Sequence, residues 1–348
     1  CDRSVGTPDR MNQPRNLQPV EERPAPTTRE ELRAIRDSGR PIVMRRLIAD
    51  WPAVARAKEG GDAIVRYLLD GGVTRQVTAI GAAPHAEGRF FYNADLTGLN
   101  FIRGQGRLET FLRDLLGASS AANPPAMAVQ SETISGLLPG FYRDNRLDLL
   151  PEVEPRIWIG NRIRVAPHFD TKENVACCVA GRRRFTLFAP DQTANLYPGP
   201  FEITPAGTPI SMVDPANPDL ATYPRFATAL ENAVQATLEP GDAIYIPYGW
   251  WHGVASLDPV SILVNYWWTE GQPEGIGDPY DALLHAILSL RHLPPEQREV
   301  WREILDYYVF DPEGKAGQHL PEHAQGVLGA PHPGLFDHMR SLIRSTLS

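Results

Sequence analysis

The sequence contains few cysteines, no long apolar run and no excess of positive charge. Its three cysteines, two of them adjacent at Cys177 and Cys178, are too few for a disulfide framework, so we expect a reducing compartment, the cytoplasm. No apolar run approaches the roughly 18 residues that would cross a bilayer. The polar N-terminal stretch does not resemble a signal peptide. We therefore expect a protein without a membrane segment.

The charge balance argues against a nucleic-acid-binding protein. Forty-two acidic and 34 basic side chains give a net charge of −8. Proteins that bind phosphate backbones usually carry a basic excess. The longest block of consecutive basic residues is Arg182-Arg183-Arg184. We therefore do not expect nucleic acid as a partner.

Residue patterns divide the chain into four regions. Proline and glycine number 33 and 29, which is below the share typical of disordered chains. Residues 1–28 are polar, rich in Pro and Arg and without periodicity, which predicts a flexible lead-in. Residues 29–125 mix helical and strand patterns, 126–270 carry short strand patterns, and 271–348 return to helical patterns. We expect a mainly β fold with α additions.

Local signals predict individual helices and strands. Thr28 and Glu31 are spaced as a capping box, with Leu32 and Ile35 following and a stop at Ser38-Gly39. Other helices are predicted near residues 60–70, 108–116, 280–290, 295–308 and 335–347. Short apolar runs predict strands at 41–44, 74–80, 89–92, 126–130, 156–159, 174–179, 183–188, 243–246 and 262–268. Such regular short strands favour an antiparallel sandwich or barrel.

Two of the nine histidines lie in the strand-rich middle of the chain, at His168 and His252. Because side chains at i and i+2 of an extended segment share a face, His168 and Asp170 can offer a nitrogen and an oxygen to one point. His252, far along the chain, would complete a face of two histidines and one carboxylate. That ligand set is associated with non-haem Fe(II) enzymes. A hydrogen-bonded core histidine remains the alternative.

The three consecutive arginines at 182–184 cannot all face one way. If Phe185 points into the core then Arg183 does so as well, while its two neighbours face outward. By the same parity, Asn174 shares the face of Asp170. A buried cation near a metal requires an anion. That anion is either a dicarboxylic cosubstrate or a protein carboxylate such as Asp242.

The stretch from Ile157 to Trp268 contains a series of ordered motifs: Trp158-Ile159-Gly160, His168-Phe169-Asp170, Asn174, Gly181-Arg182-Arg183-Arg184-Phe185, Pro190-Asp191-Gln192, Pro240-Gly241-Asp242-Ala243-Ile244-Tyr245-Ile246-Pro247, Trp250-Trp251-His252 and Val264-Asn265-Tyr266-Trp267. In these motifs the chain resembles the JmjC-type cupin-like (cupin 8) 2-oxoglutarate oxygenases. It is most similar to the branch that contains the asparaginyl hydroxylase of hypoxia-inducible factor. The resemblance covers about a third of the chain closely.

This resemblance implies a double-stranded β-helix of the cupin or jelly-roll type, with N-terminal α/β elements and C-terminal helices. It implies that His168, Asp170 and His252 hold Fe(II) and that 2-oxoglutarate and O₂ are co-reactants. Arg183 would hold the far carboxylate of 2-oxoglutarate, at a position where the hydroxylase branch usually has lysine. Four further residues fall where family members line the cosubstrate pocket: Gln130, Asn174, Asn265 and Trp267.

The sequence departs from the family pattern at two pocket positions. A threonine often found three residues before the first metal-binding histidine is Val165 here, and a tyrosine position two before Gln130 is Ala128. Arginine has a larger, forked head than lysine, so Arg183 could replace several donors at once. The alternative is a pocket that has changed or lost its cosubstrate.

The expected function is therefore that of an Fe(II)- and 2-oxoglutarate-dependent hydroxylase acting on a polypeptide side chain or a small molecule. Two alternatives stay open: a cupin-like metalloenzyme of another kind, and a non-catalytic binding scaffold. Apolar stripes in the predicted helices around Leu284 and Trp301 could cover the barrel. Because related hydroxylases dimerise through helices after the barrel, we expect a homodimer.

Overall fold

A computed structural model describes residues 17–72, 75–270, 278–311 and 313–347. The strands are β1 (Gln18–Pro19), β2 (Glu21–Arg23), β3 (Ile42–Met44), β4 (Gln76–Ala82), β5 (Arg89–Phe90), β6 (Ile102–Arg107), β7 (Ala126–Thr133), β8 (Arg156–Gly160), β9 (Arg164–His168), β10 (Glu173–Ala180), β11 (Arg183–Phe188), β12 (Val234–Leu238), β13 (Ala243–Ile246), β14 (Trp251–Ser256) and β15 (Ser261–Trp268). The helices are α1 (Arg29–Asp37), α2 (Pro52–Glu59), α3 (Gly61–Asp70), α4 (Leu108–Ala118), α5 (Ile134–Leu137), α6 (Pro139–Asp144), α7 (Phe226–Glu231), α8 (Pro279–Leu290), α9 (Pro295–Leu305) and α10 (Pro333–Thr346).

The strands form two mixed sheets. The six-stranded sheet has the order β1-β12-β11-β14-β9-β5, and the nine-stranded sheet has the order β2-β3-β13-β10-β15-β8-β7-β4-β6. From β8 to β11 successive strands alternate between the sheets, as in a jelly roll. The predicted mainly β, cupin-like fold is confirmed.

An apolar cluster joins the inner faces of the two sheets. Phe185 and Leu187 of β11 pack there with Ala176 and Cys178 of β10. The intervening residues of β10 point the other way, as alternation along a strand requires. The face that Asn174 shares with Ala176 is therefore the inner one, as its parity predicts.

The N-terminal helices cover the outer face of the nine-stranded sheet. Apolar residues of α1, α3 and α4 pack there against β8, β10 and β15. The predicted capping box of α1 is present, because the Thr28 hydroxyl accepts from the Glu31 N–H and the Glu31 carboxylate accepts from the Thr28 N–H. Leu32 and Ile35 are buried as expected. The helices α2, α5, α6 and α7 have no counterpart among the predicted elements.

The prediction of a flexible lead-in is wrong from residue 18 onward, where the chain forms strands. There β1 pairs with β12 and β2 pairs with β3, both in parallel, and Val20 between them is buried. The sequence did not predict these two strands, because short edge strands need few apolar residues and their side chains are mostly polar. Residues 1–16 of the lead-in lie outside the described residues, as does Thr74 of the predicted strand at 74–80.

The chain separates into two compact units, Cys1–Trp268 and Thr269–Ser348. The second unit contains α8, α9 and α10, close to the predicted helices, and α9 is followed by a π-helical turn at Asp306–Phe310. Residues 271–277 of the predicted helical region lie outside the described residues. Within the described ranges, no helix combines the length and apolar character needed to cross a membrane.

Candidate metal centre and adjoining cavity

Pairing between β9 and β14 brings the two predicted histidine ligands together. His168 at the end of β9 is the register partner of His252 in β14, and the ring centroids lie 4.4 Å apart. Asp170 follows β9, where its backbone carbonyl accepts from the Gly249 N–H at 3.0 Å. That bond fixes the turn after β9 beside the segment leading into β14. The sheet register thus assembles the triad from distant parts of the sequence.

The ligand atoms of the triad converge on one point. Single donor atoms of His168, Asp170 and His252 lie within 4.8 Å of one another. Each histidine has Nδ1 at 3.0 Å from a backbone carbonyl oxygen, that of Ala166 or of Trp250. Because a carbonyl only accepts, each Nδ1 carries the proton and each Nε2 presents a lone pair. This tautomer suits metal binding.

One carboxylate oxygen of Asp170 shows that the triad fits a cation. This atom, Oδ2, is buried without a hydrogen-bond partner among the described residues, and it lies 3.6 Å from His252 Nε2, too far for a hydrogen bond. Burial, and then the neighbouring His168, lower the pKa of His252 to about 4. The imidazole is therefore neutral at physiological pH. Two imidazoles and one carboxylate are the donor set of non-haem Fe(II) sites.

A cavity of about 450 Å³ between the sheets adjoins the triad. Every predicted site residue lines it. These residues are Gln130, His168, Asp170, Asn174, Arg183, His252, Asn265 and Trp267. The cavity has the size and the mixed apolar and polar lining of a small-molecule site.

Arg183 is a buried cation in this cavity. Its side chain is 5% exposed, whereas Arg182 and Arg184 are exposed, as their parity on β11 predicts. Its Nε donates to the Ser261 hydroxyl oxygen at 2.9 Å, and no carboxylate in the described ranges pairs with it. Burial lowers the pKa of Arg183 to about 10, so it remains charged at neutral pH.

The alternative in which Arg183 pairs with Asp242 is wrong. The Asp242 carboxylate instead accepts from Arg45 Nη1 at 2.7 Å and from the backbone N–H groups of Arg46 and Glu239. These three donors account for the burial of Asp242. The anion that Arg183 requires must therefore come from elsewhere.

Several residues that line the cavity have buried polar atoms without a partner among the described residues. These atoms are the indole Nε1 of Trp158, the indole Nε1 of Trp267 and Oδ1 of Asn265. The two indoles pack edge to face with centroids 5.8 Å apart. Asn265 uses its Nδ2 to donate to Asn174 Oδ1 at 2.7 Å. Donors and an acceptor without partners mark a site for a polar ligand.

Sequence reasoning assigned no role to Trp158 or to Ser261. Trp158 lies between Ile157 and Ile159, which both point to the outer core. Alternation along the strand therefore predicts that the Trp158 indole points inward. Ser261 carries no such signal, because its contact with Arg183 depends on long-range strand register.

The two departures from the family pattern place apolar side chains in and behind the cavity wall. Val165 lines the cavity itself. Ala128 is buried in a cluster with Ile80, Phe90 and Phe101, against which Val165 also packs. No hydroxyl stands at either position. The polar contacts to a ligand must therefore come from other residues that line the cavity, among them Gln130, Asn174 and Arg183.

Comparisons with known proteins agree with this geometry. The family model of the cupin-like domain matches residues 27–273. Similar proteins include "Lysine-specific demethylase JMJ31" of Arabidopsis thaliana (32% identical over 46% of this chain and 26% of that protein). "Jumonji C domain-containing protein 5" of Drosophila melanogaster is 30% identical over 70% of this chain and 58% of that protein. Human "HSPB1-associated protein 1" is 40% identical over 33% of this chain and 23% of that protein. The chain thus spans between about a quarter and three fifths of these relatives.

Proposed function

The chain belongs to the cupin-like domain family, and from that premise we propose that it is an Fe(II)- and 2-oxoglutarate-dependent oxygenase that hydroxylates its substrate. The observation that carries the proposal is the juxtaposition in one cavity of the His168, Asp170 and His252 triad with Arg183. The triad supplies three ligands on one face. Arg183 supplies a buried positive charge that no carboxylate in the described part of the chain neutralises. A metal chelator with a distal carboxylate, such as 2-oxoglutarate, satisfies both.

Iron, when bound, supplies the redox chemistry that activates O₂. The chain's own residues hold and orient the reactants. Arg183, fixed by Ser261, binds the far carboxylate of the cosubstrate. Trp158 and Trp267 offer indole N–H groups to ligand oxygens, and Asn265 offers its free carbonyl oxygen. This anchoring replaces the hydroxyls missing at Val165 and Ala128.

The walls of the cavity also limit access of water. Phe185, Val254 and Leu263 line it beside the polar groups. Apolar walls keep the cosubstrate anchor at low dielectric and therefore strengthen its pairing with Arg183. The neutral form of His252, set by burial, keeps its Nε2 free for the metal rather than for a proton.

The substrate is proposed to be a polypeptide side chain or a small molecule. A relative named as a lysine-specific demethylase favours a polypeptide. The competing function is that of a metal-binding cupin-like protein with altered or lost 2-oxoglutarate dependence, acting as another metalloenzyme or as a binding scaffold. The lack of a hydroxyl group at Val165 and Ala128 is the observation that favours it.

Uncoupled turnover tests the proposal without knowledge of the substrate. The protein is supplied with Fe(II), 2-oxoglutarate and air, and succinate is followed by proton NMR. Succinate is expected with the wild type, in smaller amount with Arg183→Ala and not with Asp170→Ala. Wild-type protein that binds iron but forms no succinate above the protein-free background would favour the competing function.

We also propose a homodimer formed through the C-terminal helices. In the second compact unit, α8 and α9 contain no buried residue, and they expose Leu284, Leu288, Val300 and Trp301. Exposed apolar stripes of this kind usually mark an interface. Light scattering at micromolar concentration is expected to give twice the chain mass, and Leu288→Glu with Trp301→Glu is expected to give the monomer.

The proposed location is the cytoplasm, since both described cysteines are free thiols.

A further inference from the structure

The strand β6 is a free edge of the nine-stranded sheet. It follows β4 at the end of the strand order, and β4 is its only strand partner in the described ranges. Five of its six residues are exposed, with Ile102 at 78%. Free edges present unpaired backbone N–H and C=O groups to any extended chain that approaches. This edge can therefore accept another strand.

The register shows which backbone groups of β6 point outward. The Thr78 N–H in β4 donates to the Glu132 carboxylate of β7, so the backbone of Thr78 faces β7. Its neighbour Ala79 must face β6, where its register partner is Gly104. Because successive residues point to opposite sides, Arg103, Gln105 and Arg107 direct their N–H and C=O groups to the free edge.

The side chains of the same residues lead to the cavity. Arg103 lies opposite Ile80 and Gln105 lies opposite Thr78, and the Gln105 side chain donates to the Thr78 hydroxyl at 2.7 Å. Thr78, Ile80 and Arg103 all line the cavity that holds the triad. A strand added beside β6 would therefore direct every second side chain toward the mouth of this cavity.

The edge carries positive charge on an acidic protein. Arg103 and Arg107 are its only charged residues between positions 102 and 107, while the whole chain has a net charge of −8. Arg107 lies 3.6 Å from Glu109, which is also paired with Arg113. Arg103 has no carboxylate partner in the described ranges. An acidic strand would complement this edge, and a basic one would be repelled.

We propose that β6 binds an extended, acidic segment of a polypeptide substrate as an added strand and thereby presents a neighbouring side chain to the triad. This inference rests on the proposed function and specifies its substrate class. Main-chain hydrogen bonds give the affinity, and the two arginines give the preference for acidic sequence.

Peptide binding to single-site variants of the full chain tests the proposal. The probes are fluorescein-labelled twelve-residue peptides, (Thr-Glu)₆ and (Thr-Lys)₆, and a (Thr-Glu)₆ peptide methylated at alternate backbone nitrogens. The variants are Gln105→Pro, which removes one outward N–H, and Gln105→Ala, which keeps it. Arg103→Glu combined with Arg107→Glu reverses the charge and leaves the backbone intact. Affinity is read by fluorescence anisotropy.

The acidic peptide is expected to bind wild type and Gln105→Ala alike. Gln105→Pro and backbone methylation are each expected to weaken binding by about tenfold, since each removes hydrogen bonds of the added strand. The charge-reversed variant is expected to prefer the lysine peptide. Equal binding of both peptides to the wild type, no binding of the acidic peptide, or no effect of methylation would overturn the proposal.

Two further readouts separate this inference from its rivals. The absorption of the iron and 2-oxoglutarate complex is expected to be unchanged in Gln105→Pro, so loss of peptide binding there is not loss of the metal site. If that absorption is absent even in the wild type, it is the proposed function that fails. If Gln105→Pro instead converts a dimer to a monomer in light scattering, then β6 pairs with a second copy and the substrate-strand proposal is wrong.

Discussion

Arg183 donates through Nε to the hydroxyl oxygen of Ser261 at 2.9 Å, and among the described residues this neutral contact is the only hydrogen bond of the buried guanidinium. The charge is therefore maintained at a cost to folding, in a cavity beside a metal-binding triad. Groups held in such an unfavourable state usually serve binding or catalysis. A ligand that brings a carboxylate would relieve the cost.

The first prediction concerns this cost. Because burial lowers the pKa of Arg183, its charge opposes folding at every pH below about 10. Arg183→Met is expected to raise the free energy of unfolding of the ligand-free protein by about 1–3 kcal/mol at pH 7 while weakening 2-oxoglutarate binding. Urea denaturation and calorimetry measure both. Arg184→Met, the exposed neighbour on the same strand, is the matched control and is expected to change neither. A destabilised Arg183→Met with normal 2-oxoglutarate binding would contradict the account.

The second prediction concerns Val165, which lines the cavity. Val165→Thr exchanges a methyl group for a hydroxyl of similar size and restores the donor that the family pattern has at this position. One added hydrogen bond, worth about 1 kcal/mol, corresponds to roughly fivefold tighter binding of 2-oxoglutarate to the Fe(II) protein. Val165→Ala, which adds no donor, serves as the control. Anaerobic titration calorimetry gives the affinities, and unchanged or weaker binding with threonine would count against this placement of the cosubstrate.

The third prediction concerns Asp242, the carboxylate that does not pair with Arg183. It is 6% exposed and accepts from Arg45 and from two backbone N–H groups. Asp242→Ala is expected to lower the free energy of unfolding by about 2–4 kcal/mol, because these donors lose their acceptor. Glu22→Ala removes only the exposed partner of Arg45 and is expected to cost less than about 1 kcal/mol. Similar losses for both variants would be inconsistent with a structural role for Asp242.

The fourth prediction concerns the two adjacent cysteines. Both thiols are buried, and burial raises the pKa of Cys177 and raises that of Cys178 to about 12. The Cys178 thiol also donates to the Gly181 carbonyl oxygen at 2.9 Å. The native protein is therefore expected to leave both unmodified by iodoacetamide at pH 8, as read by mass spectrometry of the peptide that contains them. Unfolding in guanidinium should expose both. Rapid labelling of the native protein would be incompatible with the described packing.

The parts of the fold that local sequence determines were predictable. The capping box of Thr28 and Glu31 and the apolar strands β10, β11 and β13 were identified closely. The strand β6 was not predicted, since Ile102–Arg107 contains two glycines and two arginines and forms only because β4 lies beside it. Pairing of that kind depends on distant chain segments and leaves little local signal.

In the site, too, local features could be predicted from the sequence and long-range contacts could not. The spacing of His168 and Asp170 and the parity of Arg183 predicted their neighbourhood correctly, because alternation along a strand is local. The sequence did not decide whether Arg183 pairs with Asp242 or with an external anion, because the answer depends on which strands are adjacent. The contribution of Thr78 and Arg103 to the cavity was missed for the same reason. The preference for the asparaginyl hydroxylase branch stays a prediction.

The central claim is that one cavity binds Fe(II) through the triad and 2-oxoglutarate through Arg183. The most direct test is the visible charge-transfer absorption that forms when both are added to the metal-free protein without oxygen. We predict a band in the wild type and in the exposed-carboxylate control Asp191→Asn, no band in His168→Ala or Asp170→Ala, and a weakened band in Arg183→Ala. Iron binding without any band in the wild type would contradict the claim.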